Sequence, residues 1–123
     1  MTTSPNSLSK HDLRQFTGTE HWYRHSMVRQ VLFTDGIKYM ADKGGAYWLV
    51  DEIAFAQVSN KAVADEAFQL WKLIVRPDAT GVLTCENGNG STVFTKELEF
   101  TDFPLDEITL YFTNNVILLS SEY

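Results

Sequence analysis

Apolar residues recur every three or four positions through much of the first half of the chain, which is the spacing of amphipathic helices. The pattern predicts a short helix from Lys10, a second helix after the Thr34-Asp35 cap, and a buried third helix over residues 46–58. Gly44 and Gly45 predict the end of the second helix, because glycine adopts positive φ at little cost. Residues 20–33 fit either a helical stripe or the approach to a strand, and we favour the helix.

From residue 68 onward, apolar residues alternate with polar ones, and turn-forming residues interrupt them at short intervals. The Asn87-Gly88-Asn89-Gly90 sequence predicts a tight hairpin, and Asn114-Asn115 predicts another. The connections are short, which is typical of an antiparallel meander. Strands are predicted over residues 68–76, 82–86, 92–100, 108–112 and 116–120.

These elements predict a single α+β domain over residues 1–123, with N-terminal helices packed on one face of a four- to five-stranded antiparallel meander sheet. A chain of 123 residues is long enough to bury a core without disulfides or a structural metal. Residues 1–7 are polar and are predicted to form a flexible terminus.

The net charge of −6 is concentrated in the predicted sheet. Residues 1–61 contain seven Lys and Arg and six Asp and Glu, whereas residues 62–123 contain three and ten. A negative sheet would repel a phosphate backbone, so we expect no direct binding of nucleic acid. We expect instead a protein partner that is itself basic or binds nucleic acid.

Cysteine usage and hydropathy bear on the compartment. Cys85 is the single cysteine, so it forms no intramolecular disulfide, and the sequence has no Cys/His array with zinc-finger spacing. The longest apolar run, residues 46–50, is far shorter than the ~20 residues of a membrane span. We therefore expect a cytoplasmic protein with no membrane association, no cofactor and a buried, structural Cys85.

His21, His25 and Asp35 are the candidates for catalysis. On a helix the two imidazoles would share one side, and Asp35 could complete a site of two histidines and one carboxylate. The glutamate of the HExxH motif is missing, and paired histidines more often cap or donate hydrogen bonds, so we expect no metal. A small enzyme with a histidine base, or a ligand-binding domain at these residues, stays the alternative function.

Carboxylates crowd the end of the predicted third strand and the segment after it. Alternation places Glu97 and Glu99 on one solvated face, opposite Leu98 and Phe100. These residues either keep the sheet soluble and protect its edge, or form an acidic patch for a basic protein. The predicted partner-binding residues are Glu97, Glu99, Asp102, Asp106, Glu107 and the aromatic pair Trp22 and Tyr23.

Five stretches of the sequence carry a family resemblance. They are LRQFTGTEHWYRH (13–25), TDGIKYMADKGGAYWLVDEIA (34–54), FQLWKLIV (68–75), LTCENGNG (83–90) and the final TDFPLDEITLYFTNNVILLSSEY. Together they resemble a family of small domains of unknown function found in bacterial, plasmid and phage genomes. The resemblance implies one domain in a mobile-element setting and supplies no catalytic residues.

That setting favours an accessory protein that binds another protein. Small acidic proteins of phages and plasmids often inhibit a host nucleic-acid-handling or defence complex, as anti-CRISPR and anti-restriction inhibitors do. We therefore expect a protein-binding accessory protein of this type rather than an enzyme. Self-association through a sheet edge also stays open.

Overall fold

The computed structural model describes residues 8–123, so the predicted flexible terminus at residues 1–7 lies outside the described residues. The helices are α1 (Lys10–Arg14), α2 (Asp35–Gly44), α3 (Tyr47–Ser59) and α4 (Lys61–Ala64), with a final 3-10 turn over Ser120–Glu122. The strands are β1 (Trp22–Arg24), β2 (Leu32–Thr34), β3 (Phe68–Val75), β4 (Gly81–Asn87), β5 (Thr92–Leu98), β6 (Glu107–Thr113) and β7 (Val116–Leu119).

Local capping explains where α1 and α2 begin and end. The Ser9 hydroxyl accepts a hydrogen bond from the Asp12 amide, and the Thr34 hydroxyl accepts one from the Ile37 amide. At the other end of α2, Gly45 has a φ of 60°, a conformation that favours glycine. The predicted starts of α1 and α2 and the predicted helix over residues 46–58 are confirmed.

The prediction of a helix in residues 20–33 is wrong, because this segment forms β1 and β2. Phe33 lies opposite Ile117 of β7, and this pairing buries both side chains. Strands of three residues are too short to show a two-residue period. Their existence depends on the pairing with β7, which is distant in sequence.

The sheet has seven strands in the order β1-β2-β7-β6-β3-β4-β5, so the predicted four- to five-stranded antiparallel meander is also wrong. β2 and β7 are parallel, and the other neighbours are antiparallel. Residues 99–106 carry the chain across the ends of β4 and β3, so β6 pairs with β3. The amides of Thr101 and Val75 anchor this crossing by donating to the carbonyls of Ala79 and Asp106, both at 2.8 Å.

The two predicted hairpins differ in their turns. Asn114 and Asn115 both have positive φ, 53° and 64°, as a two-residue hairpin turn between twisted strands requires. The hairpin between β4 and β5 instead has a longer loop, in which only Gly90 has positive φ, 81°. The Asn114-Asn115 pair therefore forms the tight turn between β6 and β7 without a glycine.

The helices α2 and α3 cover one face of the sheet. Trp71, Leu73 and Leu83 of that face are buried with Met40 of α2 and Ile53 of α3. The opposite face, called the open face below, carries the alternate residues of the strands, and most of its side chains stay partly exposed. No helix formed by residues 8–123 combines the length and apolar character needed to cross a bilayer.

Candidate functional site

The structure separates the two histidines that the sequence placed together. His21 precedes β1 and His25 follows it, and four residues of extended chain span about 13 Å. The Nδ1 atom of His21 lies 3.6 Å from Oδ1 of Asp35, whereas Nε2 of His25 lies 2.7 Å from Oδ1 of Asp51. The predicted trio of His21, His25 and Asp35 is therefore not assembled. Among residues 8–123, no group of three or more His, Cys, Asp or Glu side chains has the arrangement of a metal site.

His25 is a structural residue of the loop between β1 and β2. Its side chain is buried, and Nδ1 accepts hydrogen bonds from the amides of Met27 and Val28 at 3.2 and 2.9 Å. The ring proton therefore lies on Nε2, which donates to Asp51 of α3. Phe55 packs edge-on against the ring, with centroids 5.7 Å apart. With both nitrogens engaged, His25 fastens the loop to α3.

We expect His25→Ala to lower the free energy of unfolding by about 2–3 kcal/mol, because it leaves the buried Val28 amide unpaired and removes the ring that bonds the loop to Asp51. His21→Ala is the matched control: the His21 side chain is 69% exposed, and we expect no measurable change in stability. Urea unfolding followed by circular dichroism measures both. Equal effects of the two substitutions would contradict the structural role of His25.

Asp35 fastens the segment before β1 to the start of α2. Its Oδ2 accepts hydrogen bonds from the amides of Glu20 and His21 at 3.1 and 3.3 Å, and its Oδ1 accepts one from the Tyr23 hydroxyl at 3.0 Å. Desolvation raises the pKa of Asp35, but these hydrogen bonds outweigh it, so the pKa lies below its ordinary value. A carboxylate held in its charged form by several donors is a poor general base at neutral pH.

Cys85 is fully buried on β4, as predicted. Burial, together with the negative charges of Glu66 and Glu86, raises the pKa of its thiol to about 12. The thiol is therefore protonated at neutral pH. A protonated, enclosed thiol is a packing group rather than a nucleophile.

The predicted acidic residues gather at one end of the sheet. Residues 99–106 lie against the turn between β3 and β4, which adds Asp78 to the same end. Two of the acidic residues form ion pairs: Nη1 of Arg76 lies 3.0 Å from Oε1 of Glu97, and Nζ of Lys10 lies 2.9 Å from Oδ1 of Asp106. The other carboxylates of this acidic end have no ion pair among residues 8–123: Asp78, Glu99, Asp102 and Glu107.

The position of Glu99 at the acidic end differs from the prediction that Glu97 and Glu99 share one face of a strand. β5 ends at Leu98, so Glu99 lies beyond the strand, and Phe100 is 71% exposed rather than packed on the face of Leu98. Glu97 does occupy the open face, opposite Val82 of β4. β5 is also an edge strand of the sheet. The charges of this strand therefore lie at an edge, where charge discourages pairing with another chain.

The two aromatic residues that were predicted to bind a partner lie on opposite faces of β1. Tyr23 stacks on buried Phe33 with centroids 5.7 Å apart and donates to Asp35, so it belongs to the helical side. Trp22 lies on the open face and is 56% exposed. The structure therefore leaves Trp22, but not Tyr23, available for a partner on the open face.

Three aromatic rings cluster near the middle of the open face. Phe68, Tyr111 and Tyr123 have centroid separations of 5.1 to 5.6 Å, and Tyr123 is 71% exposed. Between Trp22 and β7 lies a hollow of about 320 Å³ with Val116 and Leu118 in its wall. The main apolar residues of the open face are Trp22, Phe68, Leu70, Ile74, Tyr111, Leu118 and Tyr123.

Sequence reasoning missed this aromatic surface, although part of the signal was present. The alternation in β3 and β6 assigns Phe68 and Tyr111 to the face opposite Trp71 and Leu110. A sheet face that is exposed to solvent normally carries polar residues. Aromatic residues on both faces of a strand therefore indicate that the second face is also buried or binds a partner. Only the pairing of β3 with β6 brings the two rings into contact.

Comparison with known proteins identifies a family but no characterised relative. No curated protein and no solved structure matches the chain. The profile of DUF6876, described as a family of unknown function, matches residues 7–123. That match covers nearly the whole chain and confirms the resemblance to a family of unknown function. The chain belongs to the DUF6876 family.

Proposed function

We propose that this protein is an accessory protein that binds a basic protein through the open face of its sheet. The observation that carries the proposal is the aromatic and apolar surface on the side of the sheet opposite α2 and α3. Contiguous exposed apolar surface on a small domain is typical of an interaction site, and Trp and Tyr are the residues most enriched at binding hot spots.

The dimensions of the open face support a protein partner. The six strand spacings between β1 and β5 span about 29 Å. A standard interface buries about 800 Å² on each partner, which corresponds to a patch about 32 Å across. The width of the open face is therefore close to that of one standard interface, so a partner that covers it would reach from Trp22 to the acidic end.

Charge complementarity supports a basic partner. The open face itself has three basic residues, Arg24, Lys72 and Arg76, and three acidic ones, Glu86, Glu97 and Glu107, so its charges balance. The excess negative charge lies at the acidic end, where three further carboxylates, those of Asp78, Glu99 and Asp102, have no ion pair among the described residues. A basic protein would meet apolar surface at the centre and negative charge at the rim.

Proteins that handle nucleic acid fit this description, because they present basic surfaces. Occupying such a surface would block nucleic acid, which is how we propose the protein acts: as an inhibitor of the anti-CRISPR or anti-restriction type. The proposal combines the acidic end with the open face and assigns no catalytic step.

The test compares two variants in affinity capture from host lysate after nuclease treatment, followed by titration with the purified partner. Trp22→Ser/Tyr111→Ser removes two anchors of the open face, and Val58→Ser changes an exposed residue on the outer side of α3. We expect the wild type and Val58→Ser to bind the same basic protein. The double variant should bind it at least about tenfold more weakly, as loss of a hot spot implies.

Two results would overturn the proposal. One is a partner that binds the double variant as tightly as it binds the wild type. The other is a homodimer in sedimentation experiments that dissociates in the double variant, since a second copy would then occupy the open face. Circular dichroism of each variant establishes that the fold is intact.

A further inference from the structure

A second cleft lies on the helical side of the molecule, away from the open face. It has a volume of about 490 Å³ and lies between residues 15–20 and the outer side of α2. That volume is within the range of small-ligand sites. The side chains that decide its chemistry are Phe16, Glu20, Asp35, Lys38, Tyr39 and Asp42.

The charges in this cleft favour a cation. Three carboxylates, Glu20, Asp35 and Asp42, line it together with one ammonium group, that of Lys38. Lys38 is already bound to Asp42, with Nζ 2.8 Å from Oδ2. The cleft therefore has an excess of two negative charges when the carboxyl groups are ionised, which disfavours phosphate or carboxylate ligands.

Hydrogen bonds keep two of these carboxyl groups ionised. Lys38 and Tyr47 both donate to Asp42 and lower its pKa below the ordinary value. Asp35 is held in its charged form by the donors described above. The Glu20 side chain has no hydrogen bond or ion pair among residues 8–123, so it is free to meet a ligand.

An aromatic pair forms another wall of the cleft. The rings of Phe16 and Tyr39 have centroids 5.1 Å apart, and both rings are only partly buried. An aromatic wall beside carboxylates suits a flat cation, because a guanidinium group stacks on rings while its N–H groups pair with carboxylate oxygens. The ammonium group of Lys38 lies in the same region, with its Nζ 5.6 Å from the centroid of Tyr23.

We infer that this cleft binds a guanidinium group, with Phe16 and Tyr39 as the stacking wall and Glu20 and Asp42 as its charged partners. The group can belong to a small molecule or to an arginine side chain of a protein. The inference is independent of the open face, because the cleft residues belong to α2 and to the segment before β1.

The experiment is a titration of ¹⁵N-labelled protein, followed by the amide resonances of residues 15–20 and of α2. The probes are methylguanidinium, N-acetyl-arginine methylamide and its neutral isostere N-acetyl-citrulline methylamide. We expect saturable shifts at this cleft with a guanidinium probe, and binding of the citrulline probe at least about fivefold weaker. Binding of methylguanidinium alone would indicate a small-molecule ligand, because the backbone around an arginine would then be excluded. Binding of N-acetyl-arginine methylamide would indicate that an arginine side chain of a protein enters the cleft.

Variants establish that the cleft residues carry the binding. Asp42→Asn and Glu20→Gln should each weaken binding by about fivefold, the size expected for one partly exposed charge contact. Asp65→Asn is the matched control. Asp65 also pairs with the lysine four residues earlier, with Oδ2 2.9 Å from Nζ of Lys61, but it directly follows α4 and does not line the cleft. The resonance spectrum itself reports whether each variant is folded.

Three outcomes would overturn the inference. The first is equal binding of the citrulline probe, which would remove the role of charge. The second is the lack of a saturable shift with either guanidinium probe up to about 10 mM. The third is an equal loss of binding in Asp65→Asn and Asp42→Asn, which would assign the attraction to overall charge rather than to the cleft.

Discussion

Replacing Gln69 by leucine is expected to lower the free energy of unfolding by about 3–4 kcal/mol, although leucine is the more apolar residue. Gln69 is fully buried on β3. Its Oε1 accepts a hydrogen bond from Nε1 of Trp71 at 2.9 Å, and its Nε2 donates to the carbonyl of Val63 at 2.8 Å. A reciprocal pair of amide hydrogen bonds joins it to Gln57 of α3. Leucine would leave the indole N–H and the Val63 carbonyl buried without these partners.

Gln57→Leu is the matched control for this prediction. Gln57 is only partly buried, and its loss leaves Gln69 bound to Trp71 and Val63, so we expect a cost of about 1 kcal/mol. Urea unfolding measures both variants. A Gln69→Leu protein as stable as the wild type would show that apolar packing replaces the hydrogen bonds at no cost. The prediction would then be wrong.

Gly36→Ala is expected to destabilise the protein by about 2 kcal/mol, even though alanine is the better helix former by about 1 kcal/mol. Gly36 does not have positive φ, so its backbone accepts alanine. The added Cβ would lie 2.6 Å from Oε1 of Glu122 and from Cδ1 of Leu119. Both side chains must move, and Glu122 then loses its hydrogen bonds from the Thr34 hydroxyl and the amides of Gly36 and Leu119, at 2.6, 3.2 and 2.9 Å.

A double-mutant cycle separates this contact from general helix effects. In a Glu122→Ala background, Gly36→Ala should cost about 1 kcal/mol or less, because the carboxylate that it displaces is gone and only the Leu119 side chain must still move. Gly18→Ala is the steric control, since an added Cβ there meets nothing within 4 Å. Additive effects of Gly36→Ala and Glu122→Ala would contradict the proposed contact. Thermal and urea unfolding of the four cycle proteins provide the energies.

The contact between Glu122 and α2 also explains how the last strand is fastened to the helical layer. The Glu122 carboxylate accepts from the Gly36 amide in the first turn of α2, where a negative charge is favoured by the helix dipole. The same carboxylate accepts from the Leu119 amide at the end of β7. One side chain thus joins residues 86 positions apart in the chain.

Part of the candidate sites could be predicted from the sequence. Exposed charge at Glu97 and Asp106 and the burial of Cys85 follow from local patterns, because strand alternation and turn residues act over a few positions. The separation of His25 from Asp35 could not be predicted, because it depends on whether residues 20–33 form a helix or two strands. That choice depends on Phe33 pairing with Ile117, a partner 84 residues away.

The sequence by itself determined the elements whose signals are local. The caps at Ser9 and Thr34, the end of α2 at Gly45 and the alternation in β3 and β6 each depend on neighbours within a few residues. The tertiary structure alone decided the strand order. It brings Phe68, Tyr111 and Tyr123 together on the open face and places Phe16 and Tyr39 beside the carboxylates of α2. The physical reason is that pairing and side-chain packing join residues distant in sequence, and no local pattern records which strand becomes the neighbour of which.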